Sequence, residues 1–268
     1  MLLLVQYTLI FASVLVLVAL GGCFSEHSGV INIGLEGIMV IGALGGALMM
    51  KYLPAGLPAI VVILLVVLAS VLLGMLFSLF LGVAAIKFNA DQTLIGTAMN
   101  LLGPAIAVVL VRAINTAESV DNVSSTISYR EAKQAFLVNI GKFEFNWFML
   151  IAVLALIASV IVLYKTKFGL RLCACGEHPQ AADSVGIDVY KMRYAGTIIS
   201  GCLAAFGGFI YALPSGSSTG DVAGVGFLAL AVMIFGNWKP VPIALAALLF
   251  GALKCISSGY ASIDFNND

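Results

Sequence analysis

Apolar runs long enough to cross a bilayer alternate with polar breaks along almost the whole chain. Crossing the hydrocarbon takes about 20 residues of helix. Eight segments qualify: 2–22, 35–52, 55–86, 93–114, 148–164, 194–213, 222–238 and 241–258. The third is longer than one crossing needs, so it is expected to tilt or run past the bilayer. Trp147 with Tyr164, and Tyr194 with Tyr211, place aromatic rings at membrane-interface depth. The first segment has no basic stretch before it and no A-x-A site, so a retained helix is expected rather than a cleaved signal peptide. The pattern predicts an all-α polytopic membrane protein with about eight helices, organised as one transmembrane domain over residues 1–268.

Two polar breaks are long. Residues 165–193 carry Lys165, Lys167, Arg171, Lys191 and Arg193 against Glu177, Asp183 and Asp188. Short loops rich in Lys and Arg stay in the cytoplasm, which orients the chain. The loop 115–146 is then extracytoplasmic, the 23–34 and 87–91 breaks are cytoplasmic, and both termini lie outside. Lys51 falls on the outer side, against the rule.

Composition excludes other classes. The chain is 62% hydrophobic and 10% charged, against about a quarter charged in soluble domains, so it cannot cover a water-exposed surface. Thirteen basic and 13 acidic residues cancel, and no basic patch points to nucleic acid. Cys173 and Cys175 form a C-x-C without the second ligand pair that zinc requires. With Cys23, Cys202 and Cys255 they are expected to be reduced thiols. Hydrolase, zinc-protease and phosphate-loop patterns are absent from the sequence. Gly42, Gly45 and Gly46 in one segment, and Gly201, Ala204, Ala205, Gly207 and Gly208 in another, predict close helix packing into a compact bundle.

Three polar clusters carry the candidate chemistry. Ser25, Glu26, His27, Ser28, Asn32 and Glu36, punctuated by Gly29, Gly34 and Gly37, separate the first two segments. Irregular polar backbone at membrane depth survives only when buried in protein or lining a cavity. Glu36 is either a carboxylate stabilised at a helix start or a functional intramembrane group. Gln92 and Asn100, near the start of the fourth segment, either face a pathway or bond neighbouring helices. In the cytoplasmic break, Pro179 suits a first helical position and Gly186 the residue past a helix end. Ala181 and Ala182 between them are expected to offer a low-profile surface for another protein.

The run 24–37, FSEHSGVINIGLEG, resembles permease subunits of bacterial ABC importers for nucleosides, with His27 standing where Arg or Lys is usual. Gly169, Leu170 and Arg171, then Gly176, Glu177, His178, Pro179, Ala181, Ala182, Gly186 and Ile187, resemble that family's cytoplasmic coupling loop, with His178 where Asn is common. The likeness continues through Ser200–Gly201, Gly207–Gly208, Gly226–Phe227 and Ala231–Val232. It identifies the chain as similar to the branched-chain amino acid, ribose and nucleoside permease superfamily. The resemblance implies a multi-pass protein of the bacterial inner membrane forming half of a translocation pathway. It implies a second, different permease chain, ABC ATPase subunits docking on 176–186, and a substrate-binding lipoprotein or periplasmic binding protein. No cofactor belongs to the chain itself; ATP and Mg bind the partner ATPase. Pathway candidates are Glu26, Asn32, Glu36, Gln92 and Asn100. The family core of about ten helices implies a further helix near each end, with 263–268 beginning an outer loop. Rival readings are a same-fold permease for sugars or branched-chain amino acids, and an ATP-independent secondary transporter.

Overall fold

The computed structural model of the chain describes residues 2–54, 56–129, 137–140 and 143–260. Helices α1 (Leu2–His27), α2 (Leu35–Tyr52), α3 (Ala59–Gly82) and α4 (Gln92–Glu118) come first, with a π turn over Val83–Lys87 prolonging α3. Strand β1 (Ile127–Ser128) and the hairpin β2 (Leu137–Ile140) and β3 (Phe143–Asn146) follow. Then come α5 (Trp147–Lys165), α6 (Lys167–Glu177), α7 (Pro179–Ser184), α8 (Val189–Ala212), β4 (Ser217–Ser218), α9 (Val225–Phe235) and α10 (Pro240–Tyr260). β4 pairs antiparallel with β1, Ile127 opposite Ser218. The expected outer loop at 263–268, and 130–136 and 141–142 of the central polar loop, lie outside the described residues.

Seven of these helices are long and apolar enough to cross a membrane. The seventh expected crossing, 222–238, is corrected: it holds only α9, eleven residues long. At about 1.5 Å per residue, α9 covers roughly half of a ~30 Å hydrocarbon core. Ala223 (φ 51°) and Gly224 (φ 76°) break the backbone before it, and Asn237 (φ 49°) and Trp238 (φ 54°) after it. Hydropathy sums composition and does not register those left-handed turns.

The helices sort into a centre and a periphery. Within an apolar 18-residue stretch of each helix, 78% of residues are buried in α2 and 72% in α1 and α8, but only 22% in α3, α5 and α10. A helix apolar all round needs either protein or lipid on every side. The peripheral helices therefore show Leu64, Phe80, Leu154 and Leu245 outward, while α2 is enclosed by α8, α3, α4 and α9. Glycine permits the central approach. A Cβ on Gly42 would sit 2.4 Å from the Ala205 Cα, and one on Gly208 would sit 2.1 Å from the Met39 carbonyl oxygen. This is the small-residue packing that lipid-embedded helices rely on where dispersion replaces the hydrophobic drive. Phe148 closes the bundle edge-on against Phe206 and Phe209.

The two ends of the bundle differ. One end gathers the α1 terminus, the start of α4, helices α6 and α7, and the α9–α10 turn. At the opposite end Lys51 forms an ion pair with Glu118 at 2.8 Å, and the Tyr52 hydroxyl donates to the same carboxylate. That pairing accounts for a cation at the end that charge counting assigns to the outside.

Candidate functional site

Between α1 and α2 the chain turns back into the bundle without helical structure. Ser25 Oγ donates to the Val30 carbonyl at 2.7 Å, Ser28 Oγ donates to the Ser25 carbonyl at 2.6 Å, and Gly29 takes φ 83° to reverse direction. Side chains from other helices then satisfy the irregular backbone, as polar groups buried away from water require. The Ile31 amide donates to Gln92 Oε1 at 2.7 Å, and Asn32 Nδ2 donates to Ser200 Oγ at 2.8 Å. Asn100 bridges the break: its Nδ2 donates to the Ile33 carbonyl, and its Oδ1 accepts from the Gly37 amide, both at 2.9 Å. Gly34 at the N-cap has no side chain, so Asn100 caps α2 from a neighbouring helix. Asn100 lies eight residues along α4 from Gln92, or about 12 Å of helix rise. Helix α2 therefore begins well inside the bundle.

Helix α9 begins beside it. Glu36, in the first turn of α2, accepts from the Gly224 amide at 2.8 Å and the Gly226 amide at 2.5 Å. Its carboxylate thus faces the amide-rich starts of two helices, both of which favour an anionic partner. Gly226 cannot carry a side chain, because a Cβ would lie 2.5 Å from the Glu36 backbone. From this meeting point α9 runs to the α6–α7 end, where Trp238 Nε1 donates to Glu26 and the Trp238 carbonyl accepts from Cys23 Sγ at 3.2 Å. The two helix starts form an oriented concentration of amide donors inside the bundle, the arrangement in which broken transporter helices hold polar cargo or each other.

The polar unit 165–193 is more ordered than a loop. Thr166 caps α6, its hydroxyl accepting from the Gly169 amide at 3.2 Å. Gly169, Leu172 and Cys175 turn inward at i, i+3, i+6, leaving Leu170 and Arg171 exposed. Pro179 occupies the first turn of α7, and Gly186 ends it at φ 80°. Gly176 packs on the end of α1, where a Cβ would come within 2.4 Å of the His27 carbonyl oxygen, and Arg193 lies against Gly29. The unit is therefore seated directly on the break that leads to Glu36. Burial pushes the Cys173 and Cys175 thiols upward from the ordinary range, which favours the neutral thiol over a metal-binding thiolate.

Of the pathway candidates, Asn32, Glu36, Gln92 and Asn100 gather around the start of α2, whereas Glu26 stands apart at the α9–α10 turn. Gln92 and Asn100 bond backbone of the break, in line with the helix-bonding alternative. Ala182 is corrected: it is buried to 3% exposure and faces its own chain, so it offers no surface. The outward face of the unit is formed by Ala181, Asp183, Ser184 and Val185. Sequence reading missed Ser200, Trp238 and Gly224 as partners. Only the glycine-dense run 220–226 carried a hint of the α9 start.

The geometry defines a polytopic helical membrane protein with a broken-helix centre and a docked polar unit at one end. The family described as "Branched-chain amino acid transport system / permease component" matches residues 4–267, and the chain belongs to it. It is 41% identical to the guanosine ABC transporter permease protein NupQ of Bacillus subtilis, over 94% of this chain and 81% of that one. It is 40% identical to the nucleoside ABC transporter permease protein NupC of Lactococcus lactis, over 93% and 80%. A second L. lactis nucleoside permease, NupB, is 24% identical over 91% and 70%.

Proposed function

We propose that this chain is a permease subunit of an ATP-driven nucleoside importer in a bacterial cytoplasmic membrane. The observation that carries the reading is the 41% identity to a guanosine permease, extending over 94% of the chain. The broken-helix centre supports it, because the segment most specific to the resemblance, Asn32 to Gly37, is the one that builds the α2–α9 meeting point. The chain acts as one transmembrane domain, with 165–193 cytoplasmic and 115–146 outside. The five cations of 165–193 (Lys165, Lys167, Arg171, Lys191 and Arg193) are joined at the α6–α7 end by Lys87 and Lys239, which supports that orientation.

The subunit pairs with a different permease chain. The unequal match to two nucleoside permeases of one strain, 40% and 24%, supports a mixed pair. A separate ABC ATPase binds ATP and Mg and docks on the outward face of α6 and α7. A binding protein delivers substrate from outside. This chain is a transport component that itself carries no catalytic residues and no cofactor. Asn32, Glu36, Gln92 and Asn100 shape the pathway by holding the break in place, and Glu26 does so by anchoring the far end of α9 through Trp238.

The test is uptake of labelled guanosine and uridine by cells carrying the whole transporter. Unlabelled nucleosides should compete, and ribose and leucine should not. Competition by ribose or leucine alone would replace the nucleoside reading with that of a sugar or amino acid permease of the same family.

A further inference from the structure

At the end opposite α6 and α7 the bundle holds a cavity of about 850 Å³, within the roughly 300–1,000 Å³ of small-molecule sites. The first turns of α1 supply Tyr7 and Phe11, the end of α8 supplies Tyr211, the turn before α9 supplies Thr219 and Asp221, and α10 supplies Lys254. Phe11 and Tyr211 meet edge to face at 6.2 Å, so one aromatic wall is already rigid. The opposite wall is backbone held by the β1–β4 pair and by the Tyr129 hydroxyl, which donates to the Ala212 carbonyl at 2.6 Å.

The floor is the turn that starts α9. Asp221 Oδ1 accepts from the Ala223 amide at 3.0 Å, which fixes the carboxylate, while Oδ2 has no hydrogen-bond partner among the described residues. Asp221 lies within Coulombic reach of both Glu36 and Tyr211. The cavity thus opens directly above the α2–α9 meeting point. The lining carries one carboxylate, Asp221, and one lysine, Lys254, whose charges cancel, so the site suits a neutral ligand better than a phosphate ester. Stacking rings beside a fixed carboxylate suit a flat heterocycle carrying neutral vicinal hydroxyls, since a carboxylate accepts two such donors at once.

We propose that this cavity is the receiving site for the released nucleoside, with the base against Phe11 and Tyr211 and Asp221 accepting the ribose 2′- and 3′-hydroxyls. The inference rests on the nucleoside-importer reading and adds the place and the recognising groups.

The test is saturable equilibrium binding of labelled guanosine to the complete ATPase–permease complex purified without its binding protein, beside guanosine uptake by the whole transporter. The wild type should bind guanosine about tenfold more tightly than 2′,3′-dideoxyguanosine, the scale of hydrogen bonds to a charged group. Asp221→Asn keeps an acceptor for the Ala223 amide. It should weaken guanosine binding about tenfold and leave dideoxyguanosine binding unmoved. Tyr211→Leu should weaken both ligands alike, and Tyr211→Phe should restore them. Guanosine uptake without saturable binding, or an Asp221→Asn variant with an unchanged ratio between the two ligands, overturns this inference and leaves the importer reading standing. A wild type that takes up no nucleoside overturns both.

Discussion

Glu36 and Gly224 are 188 residues apart in sequence and joined by a hydrogen bond of 2.8 Å. Together with the bond to Gly226, that contact ties the start of α2 to the start of α9 and makes one unit of two helices that run in opposite directions from the middle of the bundle. The unit stands between the cavity at one end and the α6–α7 seat at the other.

Replacing Glu36 tests that tie. Glu36→Gln retains one acceptor oxygen and most of the packing, so transport should fall modestly. Glu36→Leu removes the acceptor from both amides; the Gly224 amide is open to water, but the buried Gly226 amide is left without an acceptor. The cost is about 1–3 kcal/mol for that stranded donor, enough to lower the melting temperature in detergent by several degrees and to reduce uptake strongly. Equal melting and uptake for the two variants at matched expression would show that the carboxylate does not hold α9.

Two glycines separate packing from backbone conformation. A Cβ on Gly42 would collide with the Ala205 backbone, whereas one on Gly186 meets nothing within 4 Å but needs φ 80°. Gly42→Ala should therefore block stable insertion, since backbone on both sides leaves nowhere to move. Gly186→Ala should cost only about 1 kcal/mol of left-handed strain and express normally. Yields and size-exclusion profiles that rank the two the other way would contradict the central α2–α8 packing.

Much of the bundle was legible from hydropathy, because a lipid-crossing helix needs only length and apolar composition. The six-residue α7 was legible from Pro179 and Gly186 for the same local reason. Helix α9 was not, since its apolar flanks disguise a half-length helix whose limits are set by backbone turns at Ala223 and Asn237. Helix α6 was hidden by its cations, although the inward row Gly169, Leu172 and Cys175 was present. The burial of Ala182 depends on how α7 seats against the rest of the unit, which so short a helix does not encode in any period. The polar centre was legible as a list of residues but not as a geometry. The pairings Asn32 with Ser200 and Asn100 with Gly37 join positions 168 and 63 residues apart, and local patterns do not reach that far.

Tyr129 gives a pH-dependent reporter of the outer wall. Burial pushes its phenol up to about 12 from the ordinary value near 10. A folded-state pKa raised above the unfolded one means that the neutral form is favoured in the fold. The stabilisation is complete below pH ~10 and fades as pH rises towards ~12. Tyr129→Phe also loses the donations to the Ala212 and Ser217 carbonyls. The wild type should be more stable than Tyr129→Phe at pH 8, by about 1–2 kcal/mol, and that gap should close at alkaline pH. A gap that stays constant from pH 8 to pH 11.5 in thermal melts would argue against a buried, neutral phenol.

The outward face of α6 and α7 tests energy coupling. Exposed apolar side chains on a polar end call for a partner, and Leu170 is 61% and Val185 73% exposed. Ala181 stands between them on the exposed side of α7, while Ala182 turns inward. A docking element transmits force only if its contact face fits closely and its own seat is rigid, and here Gly176 against His27 supplies the seat. Bulk or charge on the outward face should therefore disrupt docking without disturbing the bundle. Ala181→Trp and Val185→Asp should insert normally and still pair with the second permease, but lose ATPase co-purification from detergent. Substrate-stimulated ATP hydrolysis in liposomes should drop at least tenfold. Ala182→Trp should behave differently, because it forces a large ring into a buried site and should reduce yield of the permease itself. If Ala181→Trp and Val185→Asp retain full ATPase association and turnover, this unit is not the coupling element, and an ATP-independent transport mechanism becomes the better account of the chain.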